Sequence, residues 1–165
     1  MKYLIDTNIC IYIMNKRPVK VINKFKLFEV GDIGLSTVTV SELRYGVAKS
    51  TKRELNRQRL NEFITPFEML AYDELAAEVY GDIRFQLEKS GQPIGPFDML
   101  IASQALSRNL VLVTNNEMEF KRVENLKVEN WSRENFRIKL TTLFLLRYFA
   151  KKGPSNIPAF LYDKI

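Results

Sequence analysis

The feature that most constrains the fold is an alternation of short apolar runs with helical segments along residues 1–131. The clearest run, LVLVT at residues 110–114, is continuous and rich in β-branched side chains, which is typical of a central parallel strand. Further strands are predicted at residues 3–6, 33–36, 67–72 and 127–131, with segments of helical spacing between them. This order predicts an α/β fold with a mostly parallel sheet of four to five strands flanked by helices.

Local signals set the expected helix ends. Thr7 and Asn8 are candidate N-cap residues for a first helix, and Ser36 or Thr37 can cap the helix after the second strand. Asp73 can start a long helix, and Gly91 and Asn109 are expected stop signals for that helix and the next. The remaining helices are expected near residues 19–29 and, as a charged and most simply solvated helix, 52–63.

The residue inventory excludes several kinds of chemistry. The chain has 165 residues, no histidine and a single cysteine, Cys10. Serine and cysteine triads that use histidine, histidine-ligated zinc, thiolate zinc sites and an internal disulfide are therefore excluded. Any hydrolysis must use carboxylates with a hard metal ion. The lone cysteine and the lack of a signal-peptide pattern predict a cytoplasmic protein.

The net charge of +6 is unevenly distributed. Residues 1–131 hold 18 basic and 17 acidic side chains, whereas residues 132–165 hold 7 and 2. The body of the protein is nearly neutral, so the basic total is weak evidence for a nucleic-acid partner.

Several acidic residues lie near the ends of the predicted strands. A parallel sheet would place them at one edge. Asp6 ends the first strand, Glu42 lies early in the helix after the second, and Glu119 follows the fourth. Asp98 falls in the first turn of a helix that starts at Pro96. Each acid also has an ordinary interpretation, as a turn residue, a helix cap, a dipole partner or a solvated charge. Together they could bind Mg²⁺ or Mn²⁺, which accept oxygen ligands alone.

Five stretches in this order resemble the PIN-domain ribonucleases and, within them, the VapC toxins of VapBC toxin–antitoxin pairs. The stretches cover residues 1–132 and are YLIDTNICIY at 3–12, SELRYG at 41–46, GPFDMLIA at 95–102, LVTNN with EF at 112–116 and 119–120, and VENW at 128–131. The resemblance implies a PIN-like three-layer fold and predicts a PIN domain over residues 1–132.

The resemblance also implies the site residues. Asp6, Glu42 and Asp98 match the first three acids of the family, with Asp6 and Asp98 as direct Mg²⁺ ligands and Mn²⁺ as the alternative ion. Many PIN domains carry a fourth acid where this chain has Asn116. Glu119 could supply that carboxylate, so the number of metal ions stays open, as do a turn role for Asn116 and a solvated role for Glu119.

By the same resemblance, the protein is expected to be a Mg²⁺-dependent endoribonuclease toxin that arrests translation by cutting RNA, with initiator tRNA at its anticodon stem-loop as the expected target. Expected partners are a cognate VapB-type antitoxin that buries a C-terminal segment in a groove, and a second copy of the chain in a homodimer. Operator DNA is expected to bind only through the antitoxin, and no membrane is involved. Candidate phosphate contacts are Arg44, Lys49 and Arg84, although a solvated surface role is the simpler interpretation for each of them.

The main rival hypothesis is a catalytically silent PIN-like module that binds RNA or an antitoxin. Such a module would be expected to lack Asp6 or Asp98, and this chain has both. A DNA nuclease of the same fold would need more elements than about 130 residues provide.

Residues 133–165 have no counterpart in the resemblance and form a predicted C-terminal extension. An apolar run at residues 140–150 is too short to span a bilayer, which requires about 20 residues. Residues 151–158 contain Gly and Pro, which interrupt helices and strands, and are predicted to form a linker. The extension could be an extra helix, a basic surface-seeking segment or a translated sequence downstream of the natural end, and we favour the last interpretation.

Overall fold

Five short strands form one sheet in which every neighbouring pair is parallel, in the order β3-β2-β1-β4-β5. The computed structural model describes residues 1–133. The strands are β1 (Tyr3–Ile5), β2 (Ile33–Ser36), β3 (Glu68–Leu70), β4 (Val111–Val113) and β5 (Lys127–Glu129). The α/β prediction is confirmed, and the sheet is wholly rather than mostly parallel over these residues.

Seven helices connect the strands of the described region. They are α1 (Thr7–Met14), α2 (Val19–Phe25), α3 (Thr37–Lys49), α4 (Arg53–Ile64), α5 (Glu74–Lys89), α6 (Pro96–Ser107) and α7 (Glu117–Phe120). No helix within residues 1–133 has both the length and the apolarity that crossing a membrane requires.

The two faces of the sheet are buried in separate cores, because successive strand residues point to opposite sides. Leu4 and Leu112 pack with α5 and α6 residues in one core. Ile5 and Val113 pack with residues of α1 to α4 in the other. This arrangement confirms the three-layer prediction.

Several predicted helix ends needed correction. The N-cap of α1 is Asp6 and not Thr7 or Asn8, because the Asp6 carboxylate accepts from the backbone N–H of Thr7 and the helix begins at Thr7. Helix α2 ends at Phe25 rather than continuing towards residue 29. Helix α4 is not merely a solvated face, because its Leu60 is 2% exposed and belongs to the second core.

Residues 1–132 form one compact unit. The apolar run at residues 140–150 and the linker at 151–158 lie outside the described residues. The predicted division of the chain into residues 1–132 and 133–165 therefore stays a prediction.

Candidate active site

Asp6 is the centre of the candidate site and is almost fully buried, with 4% of its surface exposed. It directly follows β1, the middle strand of the sheet, so the fold places it at the carboxyl edge where open α/β proteins bind ligands. Burial raises the pKa of the Asp6 carboxyl, hydrogen bonds from Thr114 and Thr7 oppose this rise, and the charge of Glu42 adds to it.

Two threonines connect the acids on neighbouring strands and helices. The Thr7 backbone N–H donates to Asp6 Oδ1 at 2.6 Å, while its hydroxyl donates to Glu42 Oε2. The Thr114 hydroxyl donates to Asp6 Oδ2 at 2.8 Å and accepts from the backbone N–H of Asn116 at 3.0 Å. One continuous chain of hydrogen bonds therefore joins α3, α1 and the end of β4.

Asp98 does not behave as a simple helix cap. The N-cap of α6 is Gly95, and Asp98 is a half-buried residue of the first turn. Its pKa is raised to about 7 by burial, by the charge of Asp6, by hydrogen-bonding contact with Glu119 and by the charges of Glu119 and Glu42. A negative charge at a helix N-terminus should instead have a lowered pKa.

Asp73 provides a comparison with Asp98, because it is an ordinary helix cap in the same protein. Its carboxylate accepts from the backbone N–H of Ala76 at 3.1 Å and forms an ion pair with Arg108. These contacts lower the pKa of Asp73. The opposite direction at Asp98 shows that burial and the neighbouring carboxylates together outweigh the helix dipole there.

The structure thus brings four of the five predicted site residues into electrostatic contact: Asp6, Glu42, Asp98 and Glu119. Asn116 is held at the same edge through its backbone and is the N-cap of α7, although its side chain makes no capping hydrogen bond. Spacing alone did not identify Thr7 and Thr114 as the residues that hold Asp6. What marks them in the sequence is their position: Thr114 directly follows β4 and Thr7 lies two residues after β1, and these two strands pair.

The donor set suits a hard divalent cation. No three acidic or cysteine side chains within residues 1–133 are arranged to hold one metal ion by themselves. Mg²⁺, however, usually takes only one or two carboxylates and keeps several waters. Asp6 and Asp98, whose charges interact, could provide such a pair, with Glu119 in contact with Asp98. A cation would relieve the repulsion that, together with burial, raises the pKa of Asp98.

Helix α6, which carries Asp98, is fixed to α3 and β3 by a buried glutamine. Gln104 is fully buried, its Oε1 accepts from the Ser36 hydroxyl, and its Nε2 donates to the Leu70 carbonyl at 3.0 Å. Ser36 is also the N-cap of α3, the helix that carries Glu42. Gln104 therefore holds the two acid-bearing helices at the same end of the sheet.

The candidate phosphate contacts differ in their surroundings. Arg84 is paired with Glu88 on the exposed face of α5 at 2.8 Å. Lys49 lies over the ring of Tyr45, 5.0 Å from its centroid, and Arg44 is exposed on the same helix. A phosphate contact by any of the three stays a prediction.

The raised carboxyl pKa values predict that metal-free protein loses stability as the pH rises. The folded chain holds the proton of Asp98 up to about pH 7, whereas the unfolded chain releases it near 3.8. Between these values the folded state binds more protons, so its free energy of unfolding should fall with increasing pH and level off above about pH 8. The lowered pKa of Asp73 acts below this window.

Thermal unfolding in EDTA from pH 5 to pH 8 measures this effect, and added Mg²⁺ should restore the melting temperature at pH 8 more than at pH 5. Asp98→Asn should flatten the pH profile, whereas Asp82→Asn, at an exposed position of α5, should leave it unchanged. A profile that rises from pH 5 to pH 8 would contradict the mutual repulsion of these acids.

Comparison with known proteins identifies the family. The model of the PIN domain matches residues 3–126. The chain is 42% identical over 134 residues to Ribonuclease VapC2 of Rickettsia felis, covering 81% of this chain and 100% of that protein. It is 43% identical over 132 residues to the tRNA(fMet)-specific endonuclease VapC of Shigella flexneri, covering 80% of this chain and 99% of that protein.

Solved structures agree with this assignment. VapBC2 from Rickettsia felis, bound to a DNA fragment from its promoter, contains a chain that matches with a TM-score of 0.75 and 42% identity, covering 79% of this chain and 99% of that chain. DNA-bound VapBC from Salmonella typhimurium matches with a TM-score of 0.75 and 40% identity, covering 79% and 98%. Together with the carboxylate-lined edge of the sheet, these matches show that the chain belongs to the PIN-domain family and, within it, to the VapC ribonucleases.

Proposed function

We propose that this protein is a Mg²⁺-dependent endoribonuclease that cuts tRNA, with initiator tRNA as its target, and that it is the toxin of a toxin–antitoxin pair. The observation that carries the proposal is the meeting of Asp6, Glu42, Asp98 and Glu119 at the carboxyl edge of the sheet. PIN-domain nucleases generally depend on a divalent metal ion. The name of the Shigella relative supports the choice of tRNA(fMet).

In this proposal Asp6 and Asp98 bind the cation, and Glu119 supplies the further carboxylate that Asn116 cannot. Asp6 is kept in one orientation by Thr7 and Thr114, which leaves little side-chain entropy to lose on binding. A bound Mg²⁺ would make water more acidic and stabilise negative charge on the phosphate. Mn²⁺ has the same preference for oxygen ligands and is the alternative ion.

Proton transfer can involve Glu119 and Glu42, which are not assigned as direct ligands. In the metal-free protein, contact between Asp98 and Glu119 lets the pair retain a proton near neutral pH, because burial and mutual repulsion disfavour two full charges. Glu42 is held by the Thr7 hydroxyl and is placed to orient a water molecule. The alternative, a catalytically silent module, is not favoured, because this chain has both Asp6 and Asp98. Only Asn116 at the fourth position agrees with that alternative.

The role of Glu119 can be tested by Glu119→Gln, which keeps the shape but removes the charge. We expect cleavage to slow by about 10- to 100-fold, the range for a group that supports a metal site. Single-turnover cleavage at saturating Mg²⁺ measures the effect. Glu124→Gln, at an exposed position just after α7, is the matched control and should cleave at the wild-type rate. An unchanged rate for Glu119→Gln would return the fourth position to Asn116 or to water.

We propose that the antitoxin binds in a groove of about 890 Å³ between α1, α3 and α4. The groove reaches Thr7 and Glu42 at the site. Its lining combines apolar side chains such as Ile11, Met14 and Phe63 with polar and charged ones: Asn15, Lys16, Asn56, Arg59 and Glu62. An apolar segment seated there could direct a basic side chain towards the acids. The matched VapBC structures from Rickettsia felis and Salmonella typhimurium support such a partner.

The homodimer also stays a prediction. Its candidate surfaces are the apolar positions of residues 9–14 and of the charged helix expected at residues 52–63. Ile9 and Leu60 are core residues and cannot contribute. Ile11 and Leu55 are 38% and 43% exposed, so they remain available.

A cytoplasmic location fits a tRNA substrate and is proposed on that ground.

The function is tested by incubating purified, antitoxin-free protein with initiator tRNA and with an elongator tRNA, each with Mg²⁺ and with EDTA. We expect one discrete cut in the anticodon stem-loop of the initiator tRNA, and only with Mg²⁺. Metal-dependent cleavage of both tRNAs would keep the nuclease and overturn the target. No cleavage by folded protein would overturn the enzymatic function.

A further inference from the structure

A second concave surface lies next to the candidate site and has no role in the cleavage proposed above. It is a pocket of about 590 Å³ between the loop before α6 and the end of α7. It is lined by Gly91, Gln92, Pro93, Met118, Lys121 and Arg122. The lining contains two cations and no carboxylate, so its charge is opposite to that of the neighbouring acid cluster.

Helix α7 links the pocket to the candidate site. The backbone N–H of Arg122 donates to the carbonyl of Glu119 at 3.0 Å, so the two residues lie one turn apart. A turn of helix rises only about 5.4 Å. A polymer that places one phosphate beside Glu119 would therefore bring a neighbouring phosphate to the pocket.

The two basic side chains differ in whether a carboxylate pairs with them. Lys121 is paired with Glu117 at 2.5 Å. The Arg122 side chain donates to the Pro93 carbonyl at 3.1 Å and has no carboxylate partner within residues 1–133. Its contact with Pro93 fixes the guanidinium at the pocket while its other N–H groups remain available. Guanidinium groups bind phosphate through two parallel hydrogen bonds, which a lysine cannot form.

We propose that this pocket binds a backbone phosphate of the RNA next to the one that is cut, with Arg122 as the principal contact. The proposal rests on the ribonuclease function proposed above. Because the contact is to the backbone, it positions the RNA without reading its sequence. Arg122 would thus lower the KM for any RNA of suitable shape, and target choice would lie elsewhere.

The test compares Arg122→Gln with wild type in steady-state cleavage of the initiator tRNA over a range of salt concentrations. We expect the KM to rise about 5- to 10-fold, kcat to stay within about 2-fold, and the salt slope of binding to fall by about one unit. Arg122→Lys should recover most of the salt slope but less of the affinity. Lys26→Gln, at an exposed position after α2, is the matched control and should change none of these.

Direct binding separates this proposal from the function on which it rests. Fluorescence anisotropy with labelled tRNA, in an Asp98→Asn background, measures affinity without cleavage, and melting temperatures exclude loss of folding. If the wild type cleaves tRNA and Arg122→Gln has an unchanged KM and salt slope, the pocket proposal is overturned but the ribonuclease function is not. A lower kcat at constant KM would indicate a structural role through Pro93 and would also overturn it. Weaker antitoxin binding by Arg122→Gln, with unchanged RNA affinity, would also overturn the pocket proposal.

Discussion

Replacing Asp98 by asparagine should slow RNA cleavage about 10³-fold and at the same time raise the melting temperature at neutral pH. The amide keeps the shape of the side chain but provides neither the charge that binds a cation nor a titrating proton. Burial, together with repulsion by Asp6, Glu119 and Glu42, holds the pKa of Asp98 near 7. Removing this repulsion should stabilise metal-free protein above about pH 7.

Single-turnover cleavage and calorimetry on the same preparation measure the two effects. Asp82→Asn makes the same chemical change on an exposed helical surface and should alter neither. Loss of activity together with a lower melting temperature would indicate a folding defect. Full activity in Asp98→Asn would remove Asp98 from the site.

The second large effect is expected for Gln104→Leu, which should destabilise the protein by about 2–4 kcal/mol. The substitution leaves the buried Leu70 carbonyl and the Ser36 hydroxyl without their partner. For a protein of this size, the melting temperature should fall by about 10 °C. Because Ser36 caps the helix that carries Glu42, cleavage at a temperature where the variant is folded should also slow by about 10-fold.

Gln86→Leu is the matched control, since Gln86 lies on the exposed face of α5 and should change the stability by less than about 0.5 kcal/mol. Chemical denaturation measures the free energies of unfolding. If both variants unfolded at the same denaturant concentration, Gln104 would have no structural role in holding α3 and α6.

The sequence predicted the layered parallel fold because its signals are local and redundant. The run at residues 110–114 is apolar and β-branched, Pro96 marks the start of a helix, and Asp73 marks another. The family assignment was likewise predicted by five motifs and is confirmed by the comparisons. The boundaries of α1 and α2 were less accurate, because Asp6 itself caps α1 and α2 stops without a strong breaker.

The identities of the site acids could be predicted, but their surroundings could not. Asp6, Glu42, Asp98 and Glu119 stand at recognisable positions, and the structure brings them together. Their catalytic and metal-binding roles stay predictions. The contacts of Thr7 and Thr114 with Asp6 depend on strand register, which a single sequence does not reveal.

Gln104 shows the same limit for a buried polar residue. It lies in a mostly apolar helix, and the neighbouring sequence does not indicate the partners that its side chain contacts on β3 and at the start of α3. Its separation from Ser36 is 68 residues along the chain and from Leu70 is 34. Only the packed structure defines those contacts.

The wide spacing of the acids along the chain has a consequence for synthesis on the ribosome. Asp6 is translated early, but Thr114, which anchors it, lies 108 residues later, and the two meet only when β4 has joined β1. Pairing between such distant segments is slow compared with local helix formation. A nascent or truncated chain therefore lacks the assembled site, and a nuclease directed at tRNA would not act until its own translation was nearly complete.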